Sequence, residues 1–553
     1  MSRTSCTVHY RLAGLVPAVV GGILFAACAL AGTGTIQLAE LDGSNGFRLD
    51  GESVGDATGL SVAGAGDVNG DGIADLLIGA PFADSNGSLG GSSFVVFGRV
   101  DGFVARLDLS ALDGSNGFRL TGTTAFDRSG YSVAGAGDIN GDGFDDLLVG
   151  APFADSNGSS SGSSYVVFGR NSFPANVSLG ALNGSDGFRM DGAAGYYFSG
   201  GSVAAAGDIN HDGFDDLIIG AIYPFPKGDY PGRSYVVFGH GGSFATSLDL
   251  GALDGNDGFV LDGLEAGAQS RLAVAGAGDL NADGTDDLVV GASLASPNGY
   301  ASGSTYVVFG HGGAFPGSVQ LDLLDGHDGF RVDGIAMGQF CGLSVAGIGD
   351  INADGIDDLA MSKTGDGTSA GSTYVLFGHA GVFPASLRLD MFDGSNGFHL
   401  DGAAPVDYSG YSIAGRGDFN DDGIADLLVG APGADPNGDG SGSSYVSYGH
   451  PGIFPASFGL GSLDGANGFR LDGATQGDAS GISVANAGDV NGDGVDDLLI
   501  GASNAGPKTG GAGSAYVVFG RGDIVFCDGF DGIDCQPNPQ ARDTTHDRED
   551  SHD

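Results

Sequence analysis

The chain of 553 residues carries 21 Lys+Arg against 69 Asp+Glu, a formal net charge of −48, with 108 Gly and no Trp. Such a charge repels nucleic acid and anionic membrane surfaces, which excludes both as partners and makes metal cations the natural ones. With 41% hydrophobic residues, 34 Phe and only 16% charged residues, the chain has enough apolar surface to fold.

Residues 1–31 read as an export signal: Arg3 and Arg11 form a basic start, an apolar run begins at Leu12, and Ala29-Leu30-Ala31 offers a small-residue cleavage site. Retained instead of cleaved, the run is about long enough to span a bilayer. Cys28 after Ala26-Ala27 is a faint lipidation signal, set against Phe25 at a position that usually holds Leu. No other segment resembles a membrane span.

From residue 32 to residue 520 three signatures recur seven times in fixed order. The first is L-D-G-x-x-G-F, starting at Leu41, Leu112, Leu182 (with Asn183 for the Asp), Leu253, Leu324, Phe392 and Leu463. The second contains D-x-N-x-D-G-x-x-D, with its first Asp at 67, 138, 208, 279, 350, 418 and 489, spaced 68 to 71 residues apart. The third, typified by Y-V-V-F-G, ends at Gly98, Gly169, Gly239, Gly310, Gly378, Gly449 and Gly520. Between them lie short β-branched or aromatic runs bounded by Gly, Asp, Asn and Ser, with no helical periodicity. The expectation is an all-β, seven-bladed β-propeller of four-stranded blades; a solenoid would need atypical capping repeats.

The phase of the repeat predicts how the ring closes. The first unit begins with the outer-strand element at Leu41 to Gly51, and the last ends with the third-strand element at Gly520. The N-terminal strand therefore supplies the fourth strand of blade seven and removes an exposed sheet edge.

The loop between the first two strands of each unit is rich in oxygen ligands. In the first copy Asp67, Asn69, Asp71 and Asp75 stand at positions 1, 3, 5 and 9, with Gly at position 6 for the turn. The other six sets are Asp138, Asn140, Asp142 and Asp146; Asp208, Asn210, Asp212 and Asp216; Asp279, Asn281, Asp283 and Asp287; Asp350, Asn352, Asp354 and Asp358; Asp418, Asn420, Asp422 and Asp426; and Asp489, Asn491, Asp493 and Asp497. This density suits Ca²⁺, which takes six to eight oxygens, with the position-7 carbonyl and water completing the shell. Up to seven Ca²⁺ are expected, one per blade; Mg²⁺ ranks second. The loop is not an EF-hand, because position 12 is Ile78 and not Glu. An additional Asp at position 8 in five copies, such as Asp145 and Asp215, reads as a solvated flank.

The stretch Gly130-Tyr131-Ser132-Val133-Ala134 through Asp138 and Asp146 to Gly150-Ala151-Pro152 resembles the FG-GAP repeat of the integrin α-subunit propeller, over nearly all of residues 34–520. The resemblance implies seven blades with calcium in hairpin loops on one face and ligand recognition on the other face and its rim. The departures are Thr, Ser or Cys where the FG element has its aromatic, Arg271 for its Gly, and an intact GAP only at 79–81, 150–152 and 430–432. Integrin α subunits carry such loops in only some blades, whereas all seven units have them here. No later domains follow, so an integrin's signalling role is not expected.

On the calcium-free face, blade three differs from the rest. Tyr223, Phe225, Lys227, Tyr230 and Arg233 lie in its 2–3 loop, and Tyr196, Tyr197 and Phe198 in the 4–1 loop that enters it. Aromatics with cations on a shared rim resemble a partner-binding hot spot, or else pack two long loops together.

His240, His311, His379 and His450 occupy one repeat position, alongside Arg99, Arg170 and Arg521, and so read as a structural feature rather than a metal cluster or triad. Gly158-Ser159-Ser160-Ser161-Gly162 fits G-x-S-x-G without the strand-to-helix context of a nucleophile elbow. Arg521-Gly522-Asp523, the tripeptide that integrins bind, directly follows the last strand and reads as composition. Residues 521–553 form an acidic tail in which Cys527 and Cys535 are expected to pair in an oxidising compartment, leaving Cys341 as a packed thiol.

The functional expectation is an exported, secreted or cell-surface, non-enzymatic monomer that binds calcium and mediates cell adhesion or protein recognition, with an extracellular protein or glycan as partner. The alternatives are a carbohydrate-binding lectin or non-catalytic part of a degradative system, and a hydrolase with its site on the upper face.

Overall fold

The computed structural model describes residues 34–221, 232–263, 272–365, 369–506 and 511–522. The signal segment and the Cys527/Cys535 pair lie outside them. Within them the chain forms a seven-bladed β-propeller.

Blade one illustrates the plan. Val62–Gly66, Asp75–Ala80, Ser92–Val96 and Gly117–Thr121 run antiparallel from the axis outward. The second and third strands are buried along their whole length, because each lies inside a sheet that is itself sandwiched between two others. That explains their continuous apolar reading without alternation. The innermost strand is built of Gly and Ala because neighbouring blades converge at the axis: a β-carbon on Gly64 would stand 2.6 Å from the carbonyl oxygen of Asn486 in blade seven. Apolar clusters fill the space between adjacent sheets, one of them joining Phe47, Leu49 and Val517 to Val62, Ile78 and Phe94.

The expectation of four strands per blade is corrected to five. A three-residue strand, Asn176–Ser178, pairs in parallel with Gly117–Thr121 at the outer edge of blade one. It comes from the connection between the third and fourth strands of blade two, so each blade lends its neighbour an outermost strand before a 3₁₀ turn returns the chain. Along that crossover a Phe covers the fourth-strand Phe of the preceding blade. The stacked pairs are Phe103 on Phe47 (4.1 Å), Phe173 on Phe118 (4.1 Å), Phe244 on Phe188 (4.7 Å), Phe315 on Phe259 (4.5 Å), Phe383 on Phe330 (4.5 Å) and Phe454 on Phe398 (4.4 Å).

The N-terminal segment closes the ring, and it does so twice. Gly46–Asp50 pairs antiparallel with Ser514–Val518 as the fourth strand of blade seven, as the repeat phase predicts. Upstream, Thr35–Gln37 pairs in parallel with Arg470–Asp472 as the fifth strand of blade six.

Candidate functional site

The seven acidic loops share one hydrogen-bonding scheme, shown here for blade one. The Asp67 carboxylate accepts the amides of Asp71 at 3.0 Å and Gly72 at 2.8 Å, and the Asp71 carboxylate accepts that of Ile73 at 3.0 Å. Positions 1 and 5 thereby fold the loop around their own side chains. At position 9, Asp75 accepts the Val68 amide at 3.1 Å and the Gly98 amide at 2.9 Å, tying the loop to the end of the third strand. Its six counterparts Asp146, Asp216, Asp287, Asp358, Asp426 and Asp497 are likewise fully buried. Each accepts the matching third-strand glycine amide.

Burial pushes all seven position-9 carboxyls up to about 8, and the acids at positions 5 and 1 push the same way against the two backbone hydrogen bonds. A sealed carboxylate beside two others calls for a compensating positive charge. In blade three the Asn210 Oδ1 at position 3 is buried and accepts no hydrogen bond. These features fit a hard cation. Among the described residues, acidic, His and Cys side chains do not themselves gather in groups of three or more at metal-binding distance.

The position-8 acids are not solvated flanks. Asp145 accepts the backbone amide of Asp67 in the preceding blade at 2.6 Å; Asp215, Asp286, Asp357 and Asp496 do the same for Asp138, Asp208, Asp279 and Asp418 at 2.9 to 3.1 Å. Each is an interblade clasp on the first residue of a loop. Ala74 and Ala425 occupy this position at the other two junctions. Asp215→Ala is expected to cost about 1.5 to 3 kcal/mol, the range for a hydrogen bond to a charged acceptor, read as a lower midpoint in denaturant unfolding. A midpoint unchanged within error would reduce the clasp to a bystander.

The matched basic positions are also structural. His240, His311, His379 and His450 stack on the crossover Phe at 3.9 to 4.0 Å, and Arg99 and Arg170 lie over theirs at 4.5 and 4.6 Å. Their backbone amides, and that of Arg521, donate to the position-2 carbonyl of the preceding blade. Arg521 thus serves as a staple; Asp523 lies outside the described residues. Cys341 is buried with its thiol 3.8 Å from the Thr305 hydroxyl, and burial pushes the thiol up to about 12, as suits a packed, unreactive group.

On the opposite face four of the eight blade-three residues are described, and they differ in their surroundings. Phe198 is buried with its ring edge-on to Phe153 at 5.3 Å, Tyr197 packs against the core, and Arg233 pairs with Asp262 at 2.8 Å. Tyr196 is 50% exposed. Tyr223, Phe225, Lys227 and Tyr230 lie outside the described residues.

Sequence reading missed the equivalents of Tyr196 around the ring. Phe126, 60% exposed, and Val406 stand at the same tip of the 4–1 loop. All three hold left-handed backbone, at φ 72° for Phe126, 65° for Tyr196 and 71° for Val406, where other blades use Gly55, Gly338 and Gly477. Aligning the seven loops by repeat position exposes the signal: a bulky residue where Gly is the rule. Met337 and Tyr300, on adjoining loops of another junction, are also exposed.

A family model described as FG-GAP repeat matches residues 58–96, 129–167, 199–237, 272–308, 409–447 and 480–518. The unmatched unit is blade five, where Asp358–Lys363 reads D-L-A-M-S-K, and it folds like the others. Mouse integrin alpha-IIb is 35% identical over 181 residues, 32% of this chain and 16% of that protein. Integrin alpha-PS5 of Drosophila melanogaster is 32% identical over 187 residues, 34% of this chain and 17% of the relative. The chain thus spans about a sixth of the length of these curated relatives. Among the described residues no helix is long and apolar enough to cross a membrane.

Proposed function

We propose that this FG-GAP repeat protein, a seven-bladed propeller resembling that of the integrin α subunit, is an exported calcium-binding module for cell adhesion or protein recognition. The observation that carries the reading is the division of labour between its two faces. One face has seven acidic loops built to one plan, each with a sealed carboxylate that needs a positive counterpart. Ca²⁺ would be held there by the side chains at positions 1, 3, 5 and 9, supplying positive charge to groups that otherwise repel.

The other face displays apolar side chains on strained backbone. A non-Gly residue at positive φ costs about 1 to 3 kcal/mol, a cost that clusters at functional sites. Phe126 incurs it while 60% exposed, and Tyr196 holds the same backbone while 50% exposed. Large exposed aromatics are the residues that anchor protein interfaces. Among the described residues, the loop acids at positions 1, 5 and 9 are committed to backbone amides, and His240, His311, His379 and His450 to ring stacking, which favours binding over catalysis.

The test is binding of the calcium-loaded protein to arrays of extracellular proteins and glycans, with and without chelator. Replacing Phe126 and Tyr196 together by Gly relieves the strain and is expected to raise stability slightly while lowering partner affinity at least tenfold. Undiminished affinity in the double variant excludes this face as the site.

A further inference from the structure

Six of the seven fourth-strand phenylalanines are sealed by a crossover ring, and five of those six are completely buried. The seventh, Phe469 of blade six, is only partly buried, and among the described residues its ring neighbour is Tyr448 at 5.9 Å. Phe469 lies where the ring is cut, because the crossover that should cover it belongs to blade seven and is divided between the two chain ends.

The N-terminal part of that crossover brings no ring. Gly34 accepts the Arg470 amide at 2.6 Å, the task done elsewhere by Ala105, Ala175, Thr246, Gly317, Ala385 and Ala456. The crossover Phe always stands two residues before that acceptor, and two residues before Gly34 is Gly32. The C-terminal part does bring apolar side chains. Arg521 donates its amide to the Phe419 carbonyl at 3.0 Å, as Arg99, Arg170, His240, His311, His379 and His450 do to theirs, so the chain follows the shared path to that point. In those blades the Phe comes three or four residues later. From Arg521 the same count reaches Ile524 and Val525, with Phe526 next.

We propose that the segment Ile524-Val525-Phe526, which lies outside the described residues, docks on Phe469 and completes blade six, Phe526 supplying the seventh ring. Both chain ends then close the same blade: the N-terminal one by strand pairing, the C-terminal one by an aromatic cap. Residues 523–526 thereby belong to the propeller, and the acidic tail begins after them. The occupant is a segment of this chain because Arg521 delivers it to this blade, and Phe526 reaches the ring position with one residue more than the longest of the other crossovers.

The experiment is amide hydrogen exchange across Gly468–Asp472 in the full-length protein. It compares the parent with a triple variant, Ile524→Ser, Val525→Ser and Phe526→Ser, with a chain ending at Gly522, and with Phe526→Leu. Exchange at residues 469–471 is expected to rise roughly tenfold in the triple variant and the truncation, and to stay near the parent rate in Phe526→Leu. In a Phe469→Ala background the triple change is expected to add nothing. Unchanged protection without the tail overturns the proposal, as does an undiminished effect in the Phe469→Ala background. Protection that depends on protein concentration means that a second copy fills the site, and also overturns it.

Discussion

Removing residues 34–51 is expected to abolish the closed propeller. The segment contributes the fifth strand of blade six and the fourth strand of blade seven, and it buries Leu38, Leu41, Phe47 and Leu49, with Phe47 and Leu49 completely enclosed. At about 1.5 to 3 kcal/mol for each buried side chain of this size, the four together supply about 6 to 12 kcal/mol. That rivals the whole net stability of an ordinary domain, about 5 to 15 kcal/mol. Two sheet edges are also left unpaired, and exposed edges template aggregation. The deleted protein is expected to appear as an opened or aggregated species in small-angle scattering and to lose its cooperative melting transition. Phe47→Ala, which removes one ring from between Phe103 and Phe519, is the graded version, expected to cost about 3 to 5 kcal/mol. Unaltered melting of the deletion protein would falsify the double closure.

The second large effect is that of cation removal. Extracellular calcium modules bind with dissociation constants of about 10⁻⁴ to 10⁻³ M. At ten times the dissociation constant one site adds about 1.4 kcal/mol to the folded state, so seven independent sites add about 10 kcal/mol. Chelation is therefore expected to lower the melting temperature by many degrees, with full recovery when calcium is added back and weaker recovery with magnesium. The sign follows from the loops: without a cation, burial first, and then the charges of the acids at positions 5 and 1, favour a proton at position 9 over a bare charge. A melting curve that does not move between chelator and millimolar calcium refutes the calcium reading while leaving the fold untouched.

The features legible in the sequence were those repeated at one position in every unit. The sevenfold ring, the N-terminal fourth strand of blade seven and the equivalence of His240 with Arg99 all follow from counting. What escaped was whatever depends on a neighbouring blade. The fifth strand is three residues long, as in Asn176–Ser178, too short for any periodicity, and its partner lies in another repeat. The Asp145 carboxylate meets the Asp67 amide 78 residues away, which no local window contains. The blade-three cluster drew notice because its aromatics are adjacent in sequence, yet 4–1 loop geometry turns Tyr196 outward and Phe198 inward two residues later. Phe126, isolated in its loop, gave no comparable local signal.

The doubly paired N-terminal segment also fixes an order of events. Gln37 meets Asp472 across 435 residues of sequence, and Gly46 waits for Val518 at the end of the last strand. Phe103 and Arg106–Asp108 can cover one side of Gly46–Asp50 early, but its antiparallel partner, like that of Thr35–Gln37, emerges only near the end of the chain. Contacts of such long range are slow to form. Ring closure can therefore occur only at the end of synthesis, and during that interval the nascent chain presents an adhesive strand that must be kept from pairing with its neighbours.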